Sequence, residues 1–256
     1  MKILALGDVT GTAAIDHLRS RLWTQRRALG VDAVIANGEN VTDIHGISRT
    51  HATELLDCGI DLLTTGNHVW SQRDIGSLLD SSSAIIRPAN YPPACPGMGY
   101  STITVCGYRL LCINVLGVVY MESLDSPFTT VERILERERG KYDFALLDIH
   151  AEASSEKLAL AHYFDGKINI IFGTHTHVPT ADLKILPHGT GYVTDLGMTG
   201  PVDSIIGTDI SCVIRRFTTK MPTRFAVAGG AVEAQGVVFE LDTDTGRVTS
   251  LSRVTF

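Results

Sequence analysis

The sequence predicts an α/β protein of two sheets packed face to face, with helices outside both. Three observations carry this reading. Short apolar runs alternate with longer amphipathic ones from residue 2 onward, a proline-rich segment near residue 90 interrupts the alternation, and a second set of alternating units follows it. Residues 2–7 (KILALG) read as a strand, residues 13–29 carry Ile15, Leu18 and Leu22 near helical spacing, and residues 31–36 (VDAVIA) read as a strand again. Residues 48–58 follow as a helix with Ser48 as N-cap, and residues 60–64 (IDLLT) as a third strand. This β-α-β-α-β order implies parallel strands joined by right-handed crossovers.

The segment Arg87-Pro88-Ala89-Asn90-Tyr91-Pro92-Pro93 is too rich in proline for a central strand or a helix. Beyond it, residues 100–105 and 109–115 flank a Cys106-Gly107 turn and predict a hairpin. A loop runs to about residue 128. Residues 129–139 then read as a helix, 144–149 (FALLDI) as a buried strand, 154–164 as a helix capped by Ser154 or Ser155, and 168–172 (INIIF) as a strand. From residue 190 the texture is one of short strands with glycine turns, among them 224–228, 237–241 and 248–254. No repeat, low-complexity tract or linker divides the chain, so a single domain over residues 1–256 is expected. Two face-packed sheets with outer helices would bury all of these apolar faces.

The 256 residues include 22 Lys+Arg and 28 Asp+Glu, a formal charge of −6 with the nine histidines neutral. Duplex nucleic acid is held by Lys and Arg neutralising phosphates, so DNA is not an expected partner. Five cysteines without a C-x-x-C pair read as reduced thiols. The apolar run before Asp8 is too short for a secretory signal, and no stretch approaches the ~18 apolar residues of a membrane span. The expectation is a cytoplasmic protein with no membrane association.

The functional signal stands at the ends of the predicted strands. KILALG ends at Asp8, VDAVIANG at Glu39-Asn40, DLLTTG at Asn67-His68, FALLDI at His150, and INIIFG in Thr174-His175-Thr176-His177. Ligands of open α/β sheets bind beyond the carboxyl ends of parallel strands, where these residues would converge. Their oxygen and nitrogen donors, without thiolate, suit Mn, Fe, Zn or Co better than Ca or Mg. They are too many for one ion. In extended chain His175 and His177 would share a face about 6–7 Å apart, and paired catalytic metals sit ~3.5–4 Å apart, so each histidine could take a different ion.

Each residue alone has a plainer reading. Asp8 could be a loop or capping residue, Glu39-Asn40 a solvated turn, and Asn67 an Asx-turn. The H-x-H pair leaving a buried strand has few structural uses, and the joint pattern outweighs the separate readings. His45 and His188 lie in loops, where they could touch a substrate but read more readily as surface residues, while His17, His51 and His162 lie within helices and read as solvated or structural. Trp23 and Trp70 read as packing residues, and Arg215, Arg216 and Lys220 as a solvated basic face that could meet a phosphate. Gly7-Asp8-Val9-Thr10-Gly11 matches neither a dinucleotide fingerprint nor a P-loop, and no G-x-S-x-G elbow is present.

At these residues the sequence resembles the calcineurin-like metallophosphoesterases, whose blocks run Asp-x-His, Gly-Asp, Gly-Asn-His, a lone His, and Gly-His-x-His or Gly-Thr-His-x-His. Position 10 is Thr where that superfamily has His, and position 39 is Glu where it has the bridging Asp. Both departures, with Gly38-Glu39-Asn40, Arg87-Pro88-Ala89-Asn90, His150-Ala151-Glu152-Ala153, Gly173–His177 and Asp195-x-Gly-x-Thr-Gly-Pro201, resemble the small bacterial 2',3'-cyclic-nucleotide 2'-phosphodiesterases over nearly the whole chain. The resemblance implies a four-layer α/β/β/α sandwich, the metallo-dependent phosphatase fold, with a dinuclear iron or manganese site. Zn and Co also fit the donor set. Carried over residue by residue, it implies that Asp8, Glu39, Asn40 and His177 hold one ion, that Glu39 bridges, and that Asn67, His150 and His175 complete the second. Residues 41–45 are bulkier and more polar than the small-residue stretch of that family, and Ser71 replaces an acid after Trp70.

The chemistry expected from two ions is hydrolysis of a small phosphodiester or cyclic nucleotide: attack on phosphorus by a hydroxide bridging the ions, and protonation of the leaving oxygen by His68 as general acid. A metallohydrolase of another substrate and a non-catalytic metal- or nucleotide-binding module are the competing readings. Family members often form homo-oligomers, and the loop 117–128 is a candidate surface for that.

Overall fold

A computed structural model describes residues 1–42 and 45–256. Strand β1 (Lys2–Leu6) lies at the centre of the first sheet, antiparallel to β12 (Val232–Leu241) on one side and parallel to β3 (Ala33–Asn37) on the other. β4 (Leu62–Thr64) continues the parallel order beyond β3. β12 also carries β13 (Val248–Thr255) and, through its first residues, β11 (Met198–Pro201), which pairs with the short β2 (Asp8–Val9).

The second sheet runs β5-β6-β7-β8-β10-β9. Its inner strands β6 (Tyr108–Leu116), β7 (Phe144–His150), β8 (Ile170–Thr174) and β10 (Gly191–Val193) are parallel, and β5 (Tyr100–Val105) and β9 (Lys184–Ile185) close the edges antiparallel. The β5–β6 hairpin turns at Cys106 (φ 51°) and Gly107 (φ 85°), two left-handed residues of the kind a tight hairpin needs.

Alternation along the strands sorts side chains into layers. Ile3, Ala5, Ile35 and Leu62 of the first sheet meet Leu110, Cys112, Leu146 and Phe172 of the second in one buried cluster. Leu4, Leu6, Val34 and Leu63 face the other way, onto α1 (Thr12–Leu29), α2 (Arg49–Asp57) and α3 (Ile75–Ser81). Leu111, Ile113, Leu147 and Ile149 pack beneath α4 (Pro127–Arg137) and α5 (Ser154–Tyr163). Strands covered on both faces are continuous apolar runs, as parallel strands must be. The result is the expected four-layer α/β/β/α arrangement.

Local chemistry explains most boundaries. α1 buries Ile15, Leu18 and Leu22, each worth about 1.5–3 kcal/mol, and stops at Gly30 in the left-handed region. The Ser48 hydroxyl accepts from His51 N as the expected cap of α2. α5 departs from expectation, because neither Ser154 nor Ser155 caps it and Ala153 stands at the cap without a side-chain bond. Residues 224–228 do not form a strand. They are joined to the fold by a single bridge, Thr208 to Val227, and α6 (Ile210–Thr219) precedes them where strands were expected. α6 buries Val213 but leaves Ile214 and Phe217 exposed; Arg215 and Arg216 lie on it. Among the described residues no helix is long and apolar enough to cross a membrane.

Candidate metal centre

The two sheets deliver their strand ends to one place. Asp8 opens β2, Glu39 and Asn40 follow β3, and Asn67 and His68 follow β4, while His150 closes β7 and His175 and His177 follow β8. Asp8, Glu39 and His150 are fully buried, and Asn40 nearly so. Around His150 Nε2 stand Glu39 Oε1 at 2.9 Å, Asn67 Oδ1 at 3.0 Å and His175 Nδ1 at 3.1 Å. One ligand atom from each of Glu39, His150 and His175 lies within 4.8 Å of the others, a group that could hold a metal ion. On the other flank, Asn40 Nδ2 lies 3.2 Å from His177 Nε2, and that nitrogen is 3.7 Å from Asp8 Oδ1. All eight residues singled out from the sequence are therefore brought together.

The electrostatics call for positive charge. Asp8 Oδ2 accepts from His175 N at 3.0 Å, but Asp8 Oδ1 is buried and, among the described residues, without a hydrogen-bond partner. Burial raises the Asp8 carboxyl above its ordinary pKa, against the opposing pull of His177 and His150. Burial would do the same to Glu39, yet the neighbouring His150 and His68 outweigh it and bring Glu39 down to about 2. His150 answers in kind: burial disfavours its charge, and the carboxylates of Glu39 and Asp8 nonetheless lift it to about 9. His175, half-buried and beside His150, falls to about 3. Burial likewise lowers His68.

A second ring of residues fixes these side chains. His150 Nδ1 lies 2.9 Å from Thr174 Oγ1, whose hydroxyl donates to Asp148 Oδ1 at 2.8 Å; Thr64 Oγ1 donates to the other oxygen at 2.5 Å. Burial pushes Asp148 up to about 7. The chain from Asp148 through Thr174 orients the His150 ring, as outer partners of metal-binding histidines do. His177 Nδ1 is 2.9 Å from the Ile206 carbonyl, and His175 Nε2 is 3.1 Å from Glu152 Oε2.

His175 and His177 are not in extended chain. Both occupy the left-handed region, at φ 101° and 63°, a conformation that costs non-glycine residues about 1–3 kcal/mol and persists only where surroundings enforce it. A fully buried ion pair flanks the segment. Lys157 Nζ donates to Asp195 Oδ2 at 2.9 Å and to Thr174 O at 2.8 Å, and the same carboxylate accepts from Thr176 N at 3.1 Å. Gly66 meets a different demand: a Cβ there would stand 2.4 Å from both Glu39 Oε2 and His150 Nε2.

Sequence reasoning gave no role to Asp148, Lys157, Thr174, Glu152 or the Ile206 carbonyl, although Thr174 and Glu152 stand in motifs it noted. Two of these carried a visible signal, since Asp148 interrupts an apolar strand and Lys157 interrupts the apolar stripe of α5. Arg87 and Asn90 turn out to be structural: the Arg87 guanidinium donates to the Pro88, Cys95 and Pro96 carbonyls, and Asn90 clamps Leu116 through both its N–H and its C=O. Trp70 packs edge-on against Tyr91, and His17 bonds the Phe256 carbonyl. His45 lies in a loop, as expected, but its ring stacks on that of His68.

A two-sheet sandwich with carboxylate, amide and imidazole donors gathered at its strand ends defines a protein of the metallophosphoesterase superfamily. Residues 4–254 match the family of YmdB-like proteins, and the chain belongs to it. It is 38% identical over 254 residues to the 2',3'-cyclic-nucleotide 2'-phosphodiesterase of Bacillus subtilis, covering 99% of this chain and 96% of the relative. The crystal structure of a hypothetical protein from Thermus thermophilus matches with a TM-score of 0.94 at 40% identity, over 100% of this chain and 99% of that one. A phosphatase from Mycoplasma pneumoniae also gives a TM-score of 0.94, at 32% identity, over 100% and 93% of the two chains. A putative 5'-nucleotidase of Staphylococcus aureus, at 14% identity, TM-score 0.63, and coverage of 99% of this chain and 54% of that one, shares the fold alone.

Proposed function

We propose that this chain is a dinuclear metal-dependent phosphodiesterase, a single domain acting in the cytoplasm, that opens 2',3'-cyclic nucleotides to 3'-nucleotides. The observation that carries the reading is the buried Asp8 Oδ1, unpartnered among the described residues, beside the convergent Glu39, Asn67, His150 and His175 donors. A buried carboxylate oxygen without a partner is costly unless a cation meets it, so the residues fit a metal. Asp8, Glu39, Asn40 and His177 would hold one ion and Asn67, His150 and His175 the other, with Glu39 shared; iron or manganese suits these donors. Bound ions would neutralise the phosphate charge and activate the attacking water.

The chain's own residues do the rest. The Asp148–Thr174 pair holds the His150 ring, and the Lys157–Asp195 pair holds the segment bearing His175 and His177. When the water oxygen bonds to phosphorus, the P–O2' bond breaks with its electron pair on O2', and His68 gives that oxygen a proton. The name of the Bacillus subtilis relative supports this substrate. Metal analysis of protein purified without chelator, paired with a Mn-supplemented assay on 2',3'-cyclic AMP and bis-p-nitrophenyl phosphate, tests it. About two equivalents of metal and 3'-AMP as product are expected. Turnover of the generic ester alone would move the substrate elsewhere, and metal-free, inactive protein after reconstitution would leave a binding module.

A further inference from the structure

The ring of His68 is weakly held by hydrogen bonds. Its backbone N–H donates to Glu39 Oε2 at 3.0 Å, which fixes the residue but not the imidazole. Among the described residues the ring's one hydrogen-bond contact is Nε2 to Asn67 Nδ2, at 3.3 Å. A proton donor that must meet a particular oxygen needs more than this, because small misplacements of a catalytic group cost rate steeply.

The missing constraint is a second imidazole. The His45 ring stacks on that of His68 with centroids 4.1 Å apart and planes 29° from parallel. Rotation of His68 about its Cβ–Cγ bond would drive the ring edge into this face. Hydrogen bonds among the described residues hold His45 in place. His45 N donates to Thr42 O at 3.1 Å, Thr42 N donates to Gly46 O at 3.0 Å, and Gln72 Nε2 donates to His45 O at 2.9 Å. The Thr42 hydroxyl accepts from Ser48 N at 3.0 Å and lies 2.6 Å from His51 Nδ1, tying the loop to α2. Gly46 has φ 84°, and a Cβ there would come within 2.9 Å of Ser71 and Gln72.

We propose that His45 is a positioning residue that holds the His68 imidazole in line with the leaving oxygen. This rests on the reading of His68 as general acid. The test compares esters whose leaving groups differ in their need for a proton: the ribose 2'-oxygen of 2',3'-cyclic AMP needs one, and p-nitrophenolate from bis-p-nitrophenyl phosphate does not. His45→Ala should lower kcat on the cyclic nucleotide by about tenfold, with KM within about twofold and wild-type metal content. The loss on the generic ester should be at most about a third as large. His45→Phe keeps the stacking plane and should recover most of the kcat.

Equal losses on both esters, or no rescue by Phe, would make His45 merely structural and overturn the inference; so would unchanged kinetics. His68→Ala separates the two claims. If it shows the leaving-group dependence and His45→Ala does not, the inference falls alone. If His68→Ala shows none, the general-acid reading falls and takes the inference with it.

Discussion

Replacing Lys157 by Met tests whether the site is held from behind. The change keeps an unbranched side chain of similar length in a fully buried position and removes the ammonium that donates to Asp195 Oδ2 and Thr174 O. Among the described residues Asp195 then keeps backbone donors alone, from Gly197 N at 3.0 Å and Thr176 N at 3.1 Å. Breaking a buried pair by removing one partner costs about 3–5 kcal/mol. At about 2–4 °C per kcal/mol for a chain of this size, Tm should drop by about 6–20 °C. Thermal unfolding should be followed with chelator and with saturating Mn, since a bound ion shifts Tm on its own. The double variant Lys157→Met/Asp195→Asn removes both charges and should recover more than half of the loss. A drop below about 3 °C, or a double variant no better than the single one, would refute the account of Lys157 as counter-charge to Asp195.

Gly66→Ala should empty the site more than it unfolds the protein, because its Cβ would meet Glu39 and His150 and not the core; metal stoichiometry read beside Tm checks this. Asp8→Asn should abolish metal retention yet leave the chelated protein as stable or up to about 1–3 kcal/mol more so, since it removes a buried carboxylate whose Oδ1 has no partner among the described residues; urea unfolding in chelator decides it. Asp182 sits below its ordinary pKa because hydrogen bonds from Thr194 and Thr180 outweigh its burial. Its contribution is thus present above an unfolded value of about 3.9 and lost as pH falls through the folded one, so Asp182→Asn should flatten the acid limb of Tm against pH.

The strand ends were legible because their physics is local. A buried parallel strand is an uninterrupted apolar run, and polar residues just beyond it stand at the carboxyl edge whatever the rest of the chain does. What supports those residues was not legible. Lys157 and Asp148 were visible as anomalies in apolar stretches, but their partners Asp195 and Thr174 lie 38 and 26 positions away and meet them only through the sheet order. Whether His175 and His177 lie in extended chain could not be read from their spacing, and the left-handed backbone at both accompanies tertiary contacts to Thr174, His175 and Thr176 from Lys157, Asp8 and Asp195. α6 escaped notice because its β-branched and threonine residues favour strands, and the helical spacing of Ile210, Ile214 and Phe217 faces solvent, not a core. The stacking of His45 on His68 joins two loops and leaves no trace in either.

The candidate ligands come from two different layers. Asp8, Glu39, Asn40 and Asn67 ride on the first sheet, and His150, His175 and His177 on the second. The distance between the two groups is therefore set by the apolar filling between the sheets, where Phe172 and Phe239 stand with ring centroids 6.3 Å apart. That filling works as a caliper. A change of volume at Phe239, buried in the apolar cluster between the sheets, would open or close the jaws on which the seven residues are mounted. Core drift in such a protein is constrained by more than stability: substitutions across the gap must compensate in pairs, or the site goes out of gauge while the fold survives.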